Sequence, residues 1–157
     1  MQFKTHQDIQ APIDYVYQRI TSFDGYERQA LRHGAHVARR DGDGPVGVGT
    51  AWDIAFTYRG KDRQLRATIM DMTAPTNLAI ETEAKGLASD TQVTLLALSQ
   101  QTTRVEVIIA LSAKSLSARL LLQSLKLARA NLNSRFEKRV KEQLRGIQAD
   151  FKRTGQS

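Results

Sequence analysis

The chain has 157 residues, carries a net charge of +7 at pH 7 and contains no cysteine. This length suits one domain with its own hydrophobic core, and the lack of cysteine excludes disulfides, thiolate nucleophiles and cysteine metal ligands. Because it has neither an apolar N-terminal segment nor a long apolar run, the sequence predicts a cytoplasmic protein without a membrane-spanning helix.

The positive charge is concentrated in the C-terminal part of the chain. Residues 115–157 contain ten basic and three acidic residues, whereas residues 1–114 contain thirteen of each. We therefore expect a neutral body followed by a basic segment.

The first elements are a strand and two short helices. Residues 3–9 alternate between an apolar or small face and a polar face, which predicts a half-exposed strand. Pro12 favours the start of a helix. The apolar face of this helix comprises Ile13, Val16, Tyr17 and Ile20. The capping-box-like spacing of Asp24 and Glu27 predicts a second short helix that ends near Gly34.

A β-hairpin is predicted around residues 60–61. A two-residue turn there pairs Tyr58 with Arg63 and Trp52 with Ile69. The resulting apolar face contains Trp52, Ile54, Phe56, Tyr58, Leu65, Ala67 and Ile69. A shift of one residue would move all these side chains to the opposite face, so the pattern favours this register.

Three more strands are predicted, at residues 77–83, 91–99 and 104–112. The pairing of the last two is open. A three-residue loop pairs Leu95 with Val107, whereas a two-residue loop pairs Leu96 with Val107. Both faces are apolar, so alternation does not choose between the two registers.

A long helix is predicted from residue 115 onward, because apolar residues recur every three or four positions. This apolar stripe comprises Leu121, Leu125, Ala128, Leu132, Phe136, Val140, Leu144, Ile147 and Phe151. A helix of this length is expected to bend or to fray at its end. The domain is predicted to span residues 1–153, with residues 154–157 as a disordered tail.

Two local motifs and the order of the elements carry a resemblance to a known family. The first motif is Ile-Gln-Ala-Pro at 9–12, followed by Val-Tyr at 16–17 and Ile-Thr-Ser-Phe at 20–23. The second is the glycine-rich segment 44–50. The chain resembles the START-domain superfamily, specifically its polyketide cyclase/dehydrase and lipid-transport branch (SRPBCC).

This resemblance implies an α+β helix-grip fold. In that fold a curved antiparallel sheet wraps around a long C-terminal helix, and two short helices follow the first strand. The resemblance also implies a cavity between the sheet and the C-terminal helix. Most members bind an apolar or amphipathic molecule there, and a minority catalyse cyclisation or dehydration.

Other motifs do not support a cofactor or a metal. Residues 42–47 match the glycine spacing of a dinucleotide site, but Pro45 interrupts the match and a strand follows instead of a helix. His33 and His36 lie off any regular helix and have no cysteine to complete a zinc site. Asp41 and Asp43 lack the further carboxylates of a calcium loop. No cofactor and no metal are therefore predicted.

The predicted ligand-binding residues come from the hairpin and the long helix. They are Trp52, Ile54, Phe56, Tyr58, Leu65, Ile69, Leu125, Arg129, Leu132 and Phe136. Within the helix stripe, Arg129 is the predicted polar anchor, because a guanidinium binds a carboxylate or phosphate with two hydrogen bonds. Alternatively, its stem packs on the stripe and its charged end reaches water. Asn133 and Gln143 are weaker candidates.

The leading functional prediction is a carrier or sensor of a small apolar or amphipathic molecule. The alternative is a polyketide cyclase/aromatase- or dehydratase-type enzyme in which Asp71 acts as acid or base, provided that no bulge moves it, and Tyr58 or Arg129 stabilises an enolate. A further alternative is an interaction module whose basic helix contacts an anionic membrane surface or an acidic protein. Nucleic acid is disfavoured because Phe136 and Phe151 lie on the apolar stripe and cannot stack with bases.

Overall fold

One seven-stranded antiparallel sheet forms the body of the computed structural model, which describes residues 1–40, 42 and 44–155. Its strands are β1 (Gln2–Ile9), β2 (His36–Arg39), β3 (Ala51–Tyr58), β4 (Lys61–Thr73), β5 (Asn77–Ala84), β6 (Leu87–Ala97) and β7 (Thr103–Ala113). The strand order β1-β7-β6-β5-β4-β3-β2 places β1 and β2 at opposite edges. The predicted α+β class is confirmed. Asp41 and Asp43 lie outside the described residues.

Two short helices connect the edge strands, as predicted. They are α1 (Ile13–Ile20) and α2 (Phe23–Arg32). Pro12 precedes the first turn of α1 in an extended conformation. Gly34 follows α2 with a φ of 85°, the left-handed conformation that favours glycine after a helix. The predicted start of α1 and the predicted end of α2 are therefore confirmed.

The C-terminal helical region is broken rather than continuous. The structure divides it into α3 (Leu116–Leu127) and α4 (Arg129–Gly155), because Ala128 leaves the helical conformation at φ −101° and ψ 16°. Helix α3 contacts β7, and α4 contacts β1 and α1. Residues 154 and 155 continue α4, and the last two residues of the predicted tail lie outside the described part.

The β3–β4 hairpin turns one residue earlier than predicted. Arg59 and Gly60 form the turn with φ values of 52° and 75°, as a type I′ turn requires. Tyr58 therefore pairs with Lys61, and Trp52 pairs with Ala67. The predicted register is wrong by two residues, but an even shift leaves every side chain on its predicted face.

The β6–β7 pair differs from both alternatives. Leu95 pairs with Val105, and residues 98–102 form a five-residue connection. The register predicted for a three-residue loop differs from the observed register by two residues, so every side chain stays on its predicted face. The register predicted for a two-residue loop differs by three residues and would have placed the side chains on the opposite face.

The hydrophobic core lies between one face of the sheet, α1 and α4. Val16, Ile69 and Val105 are its large fully buried apolar side chains. Leu144 and Ile147 extend the core from α4. The C-terminal half of α4 therefore stabilises the sheet, as the apolar stripe predicted.

Gly86 is expected to be sensitive to substitution, because it lies against the start of α3. Its φ is 84°, and a Cβ built there would lie 2.5 Å from Ser115 Oγ and 2.9 Å from Ser115 Cβ. Rotating the hydroxyl cannot relieve the second contact. Ser115 Oγ also accepts a hydrogen bond from the Ala118 N–H and caps α3.

We expect Gly86→Ala to lower the free energy of unfolding by about 2–3 kcal/mol, through left-handed strain and loss of the cap. The matched control is Gly60→Ala, where φ is 75° and no neighbouring atom lies within 4 Å. That change is expected to cost about 1 kcal/mol. Urea unfolding measures both, and equal losses would contradict the contact with Ser115.

Candidate ligand-binding site

An apolar cavity of about 300 Å³ lies between α2 and the inner face of the sheet. Its lining comprises Ile20, Phe23, Tyr26, Glu27, Ala30, Val37, Trp52, Ile54, Ala67, Leu78, Ile80 and Val93. The volume is at the lower end of the range of small-molecule sites. We call this space the α2 cavity.

Helix α2 supplies one wall of the α2 cavity through a single face. Phe23, Tyr26, Glu27 and Ala30 recur at helical spacing and so point the same way. The Phe23 ring lies 5.2 Å from Trp52 and 5.9 Å from Tyr26, measured between ring centroids. Aromatic packing therefore fixes α2 against β3.

Glu27 brings the one formal charge among the described residues that line the α2 cavity. Its Oε1 accepts a 2.6 Å hydrogen bond from Trp52 Nε1. A buried indole N–H requires such a partner. A carboxylate has more lone pairs than this one bond uses, so it can accept further hydrogen bonds.

Tyr26 lies at the edge of the α2 cavity, where its hydroxyl is hydrogen-bonded to the protein backbone. Its hydroxyl donates a 2.8 Å hydrogen bond to the Ile20 carbonyl. Although Tyr26 is 45% exposed, desolvation of its hydroxyl raises its pKa above the ordinary value, and the Arg19 charge partly opposes this shift. Tyr26 therefore remains protonated at neutral pH and serves as a wall.

A polar cleft of about 700 Å³ adjoins the α2 cavity on the side facing α4. Its lining comprises Arg19, Tyr26, Gln29, Ala30, His33, Arg139, Glu142, Gln143, Gly146, Ile147 and Asp150. Tyr26 and Ala30 belong to both linings. We call this space the α2–α4 cleft.

Most charges of the α2–α4 cleft are paired. Asp150 binds Arg19 at 2.8 Å, and Glu142 lies 4.0 Å from Lys138. Arg139 has no ion pair within residues 1–40, 42 and 44–155. Among the charged side chains that line this cleft, Arg139 is therefore the one without an ion pair in the described residues.

The ion pair between Arg19 and Asp150 connects α1 to α4. Arg19 also donates a 3.0 Å hydrogen bond to the Tyr15 hydroxyl, and the Tyr15 ring lies 5.0 Å from the Phe151 ring. Asp150 additionally contacts Arg153. The Arg19 hydrogen bond is the main cause that lowers the pKa of Asp150, Arg153 contributes further, and burial opposes both.

The lowered pKa of Asp150 predicts a stability contribution that is lost in acid. The folded pKa lies below the ordinary value of 3.8, so the contribution is complete above that pH and disappears as the pH falls through the folded pKa. In urea unfolding, Asp150→Asn should destabilise the protein at pH 7 but not at the acid end. With Arg19→Gln present, the Asp150→Asn effect should be smaller and less dependent on pH; an unchanged effect would contradict the pairing.

No protein-family model and no curated protein matches the chain. Solved structures match nearly its whole length. TTHA0849 from Thermus thermophilus is 15% identical with a TM-score of 0.65, over 96% of this chain and 99% of that chain. Zhui aromatase/cyclase from Streptomyces sp. R1128 is 12% identical with a TM-score of 0.61, over 98% and 94%. Norcoclaurine synthase from Thalictrum flavum, in complex with dopamine and hydroxybenzaldehyde, is 13% identical with a TM-score of 0.60, over 90% and 87%.

The chain has the helix-grip fold. The resemblance to the START/SRPBCC superfamily that the sequence carried is thereby confirmed for the fold. At these sequence identities the likeness extends to the fold and not to activity, which depends on the side chains of the site.

The helix-grip sheet distributes the predicted hairpin residues over different environments. Trp52 and Ile54 line the α2 cavity. Ile69 is fully buried in the core, and Leu65 lines a depression beside Ile54. Phe56, half-buried, and Tyr58, exposed, are not part of the cavity lining. The Tyr58 ring instead has the guanidinium carbons of Arg59 and Arg63 at 5.3 and 5.5 Å.

The predicted helix residues lie away from the α2 cavity. Three of them belong to α4, which packs along β1 at the edge of the sheet, and Leu125 belongs to α3, which packs on β7. Arg129 is exposed, and its Nη2 donates to the Gln2 carbonyl at 3.3 Å. Phe136 packs on Phe3 with 6.0 Å between ring centroids. Leu125 and Leu132 are half-buried and contribute nothing to the lining. Of the two weaker candidates, Gln143 lines the α2–α4 cleft, and Asn133 hydrogen-bonds Glu137.

A bulge moves Asp71 off the predicted face. Ile69 pairs with Ile80 and Asp71 with Ala79, which leaves Met70 as an extra residue. Met72, rather than Asp71, then packs against the core. Asp71 accepts a 2.7 Å hydrogen bond from Thr73. Asp71, Tyr58 and Arg129 therefore do not form one catalytic group.

The predicted site omits the contributions of α2 and β5 to the cavity lining. The spacing of Phe23, Tyr26 and Ala30 was a usable signal, since it defines one helix face. Alternation of Leu78 and Ile80 was a second one. Within the described part, no group of three or more His, Asp or Glu residues could hold a metal, and no helix there is long and apolar enough to cross a bilayer.

Proposed function

We propose that this protein binds a small apolar or amphipathic molecule in the α2 cavity and acts as a carrier or sensor. The observation that carries this proposal is a pocket whose lining is apolar except for one hydrogen-bonded carboxylate. A dry cavity of about 150 Å³ binds benzene. A volume of about 300 Å³ therefore suits a molecule of about two rings.

Affinity would come chiefly from burial of the ligand's apolar surface, at about 25 cal/mol per Å² before the costs of association. Glu27 would orient the ligand. Because Trp52 uses only part of the carboxylate's accepting capacity, a ligand hydroxyl or amine can donate to Glu27. The preferred ligand is thus a compact ring system with one hydrogen-bond donor.

The polar end of an amphipathic ligand would lie where the α2 cavity meets the α2–α4 cleft, beside Tyr26 and Ala30. The guanidinium of Arg139, which has no ion pair among the described residues, would attract an anionic or electron-rich group there. Arg139 thus replaces Arg129 as the proposed anchor.

Binding without turnover is favoured over catalysis. The residues predicted for an enzyme, Asp71 and Tyr58, are not part of the cavity lining. Glu27 and Tyr26 are the titratable groups of that lining, and both are held in hydrogen bonds to the protein. Aromatase/cyclase activity is a property of Zhui, and we do not propose it for this chain.

The test uses isothermal titration calorimetry with the probe 2-naphthol, whose two rings and one hydroxyl donor match the proposed ligand. Ala67→Phe fills the α2 cavity and should weaken binding of this probe at least about tenfold. The matched control is Ala38→Phe, at an exposed position of β2, which should bind like the unmodified protein. Equal affinities for both variants would contradict binding in the α2 cavity.

A further inference from the structure

Helix α3 carries a second apolar face that nothing in the described structure covers. Its inner face, with Ala118 and the half-buried Leu125, packs towards β7. Leu116, Leu120 and Leu127 are 74%, 58% and 92% exposed. At about 100° per residue, these three leucines lie within about 40° of one another and opposite the inner face. We call them the leucine stripe.

The leucine stripe lies in a predominantly basic setting. Helix α3 contains Arg119 and Lys126 and no acidic residue. Helical geometry places both basic side chains along one border of the stripe. The region from residue 115 to the end has ten basic and three acidic residues, so the surrounding potential is also positive.

We propose that α3 docks this protein on an anionic lipid surface. The leucine stripe would enter the boundary between headgroups and acyl chains, and Arg119 and Lys126 would contact lipid phosphates. An amphipathic helix with leucines on one face and basic residues beside it binds such surfaces through apolar burial plus charge attraction. This proposal rests on α3 and is independent of the α2 cavity.

Charge argues against a second copy of the chain on the leucine stripe. Pairing two α3 helices would bring Arg119 and Lys126 of each copy together without an acidic partner in α3. Like charges at such an interface are repulsive.

Shape argues against a folded acidic protein. The leucine stripe is one helix wide and protrudes, whereas stable protein interfaces bury about 800 Å² per partner. Three leucine side chains provide much less. A fluid lipid surface accepts a narrow protruding helix without needing a complementary groove.

The experiment is co-sedimentation of the full chain with vesicles of phosphatidylcholine alone, or of phosphatidylcholine with one-third phosphatidylglycerol. We expect salt-sensitive binding to the anionic vesicles only. Leu120→Gln with Leu127→Gln should reduce partitioning at least about tenfold. The matched control, Leu96→Gln with Leu98→Gln, changes exposed leucines of the β6 end and should bind normally.

The charge component is tested separately. Arg119→Gln with Lys126→Gln should reduce partitioning about fivefold for each residue changed. Lys138→Gln with Lys141→Gln removes the same charge from α4 and should have a smaller effect. Equal effects of the two pairs, or no binding to anionic vesicles, would overturn the proposal. A concentration-dependent dimer that Leu127→Gln disperses would overturn it too, by assigning the leucine stripe to a second copy.

Discussion

Ile69→Ala is expected to lower the free energy of unfolding by about 2–5 kcal/mol. Ile69 is fully buried in the middle of the sheet and belongs to the core cluster that joins β4 to α1 and α4. Truncation removes buried apolar contacts and leaves a hole that close-packed neighbours fill only partly. Urea unfolding should show a lower midpoint at an unchanged slope.

Ile54→Ala is the matched control for this loss. Ile54 lies on the same face but lines the α2 cavity and is only partly buried. Truncation of Ile54 enlarges the α2 cavity, so we expect the free energy of unfolding to fall by less than about 2 kcal/mol. Probe binding should change in Ile54→Ala and stay nearly constant in Ile69→Ala. The reverse pattern would contradict the division between core and cavity wall.

Trp52→Phe is expected to lower the free energy of unfolding by about 2–4 kcal/mol. The change removes part of a buried ring system and leaves the Glu27 carboxylate without the indole donor that it holds at 2.6 Å. A charged group that loses its partner in an apolar wall is more costly than the lost packing alone. Chemical denaturation of the purified variant measures this loss.

A double-mutant cycle separates the hydrogen bond from the packing. Glu27→Leu alone leaves the Trp52 N–H without its acceptor. Combining Glu27→Leu with Trp52→Phe removes both partners, so no polar group is left unsatisfied. The loss in free energy of unfolding of the double variant should be smaller than the sum of the two single losses by at least about 1 kcal/mol. Strict additivity would mean that the bond contributes nothing to stability.

Periodicity predicted the faces of the sheet better than its exact pairing. The side chains of β3 and β4 were assigned to the right faces, although the turn was placed one residue late. The reason is Arg59, which adopts a φ of 52°. Non-glycine residues seldom adopt that conformation, and nothing in the local sequence indicates that Arg59 does.

Two local irregularities displaced the predicted site. Ile69, Met70, Asp71 and Met72 contain no glycine or proline that would indicate a bulge, yet the sheet has one there. Alanine has the highest intrinsic helix propensity, so Ala128 gives no indication that a helix ends there, yet the helix breaks at this residue. Neither feature has a signal in the local sequence, and they move Asp71 and Arg129 away from the positions that unbroken periodicity assigns to them.

The missed wall of the α2 cavity has a similar origin. Glu27 was interpreted as part of a capping box, but Ser22 occupies the N-cap position and makes no side-chain capping bond. The Glu27 carboxylate instead binds Trp52, which is 25 residues further along the chain. A contact over that separation depends on the packing of α2 against β3, which a local motif does not encode.

The proposed function requires a ligand to occupy the α2 cavity beside Trp52. Since the chain has one tryptophan, its nitrogen–proton spectrum should contain one indole signal. Titration with 2-naphthol, a two-ring molecule with one hydroxyl donor, should shift this signal together with the backbone signals of Tyr26 and Ala30. An indole signal that stays fixed while signals elsewhere in the protein move would contradict the claim.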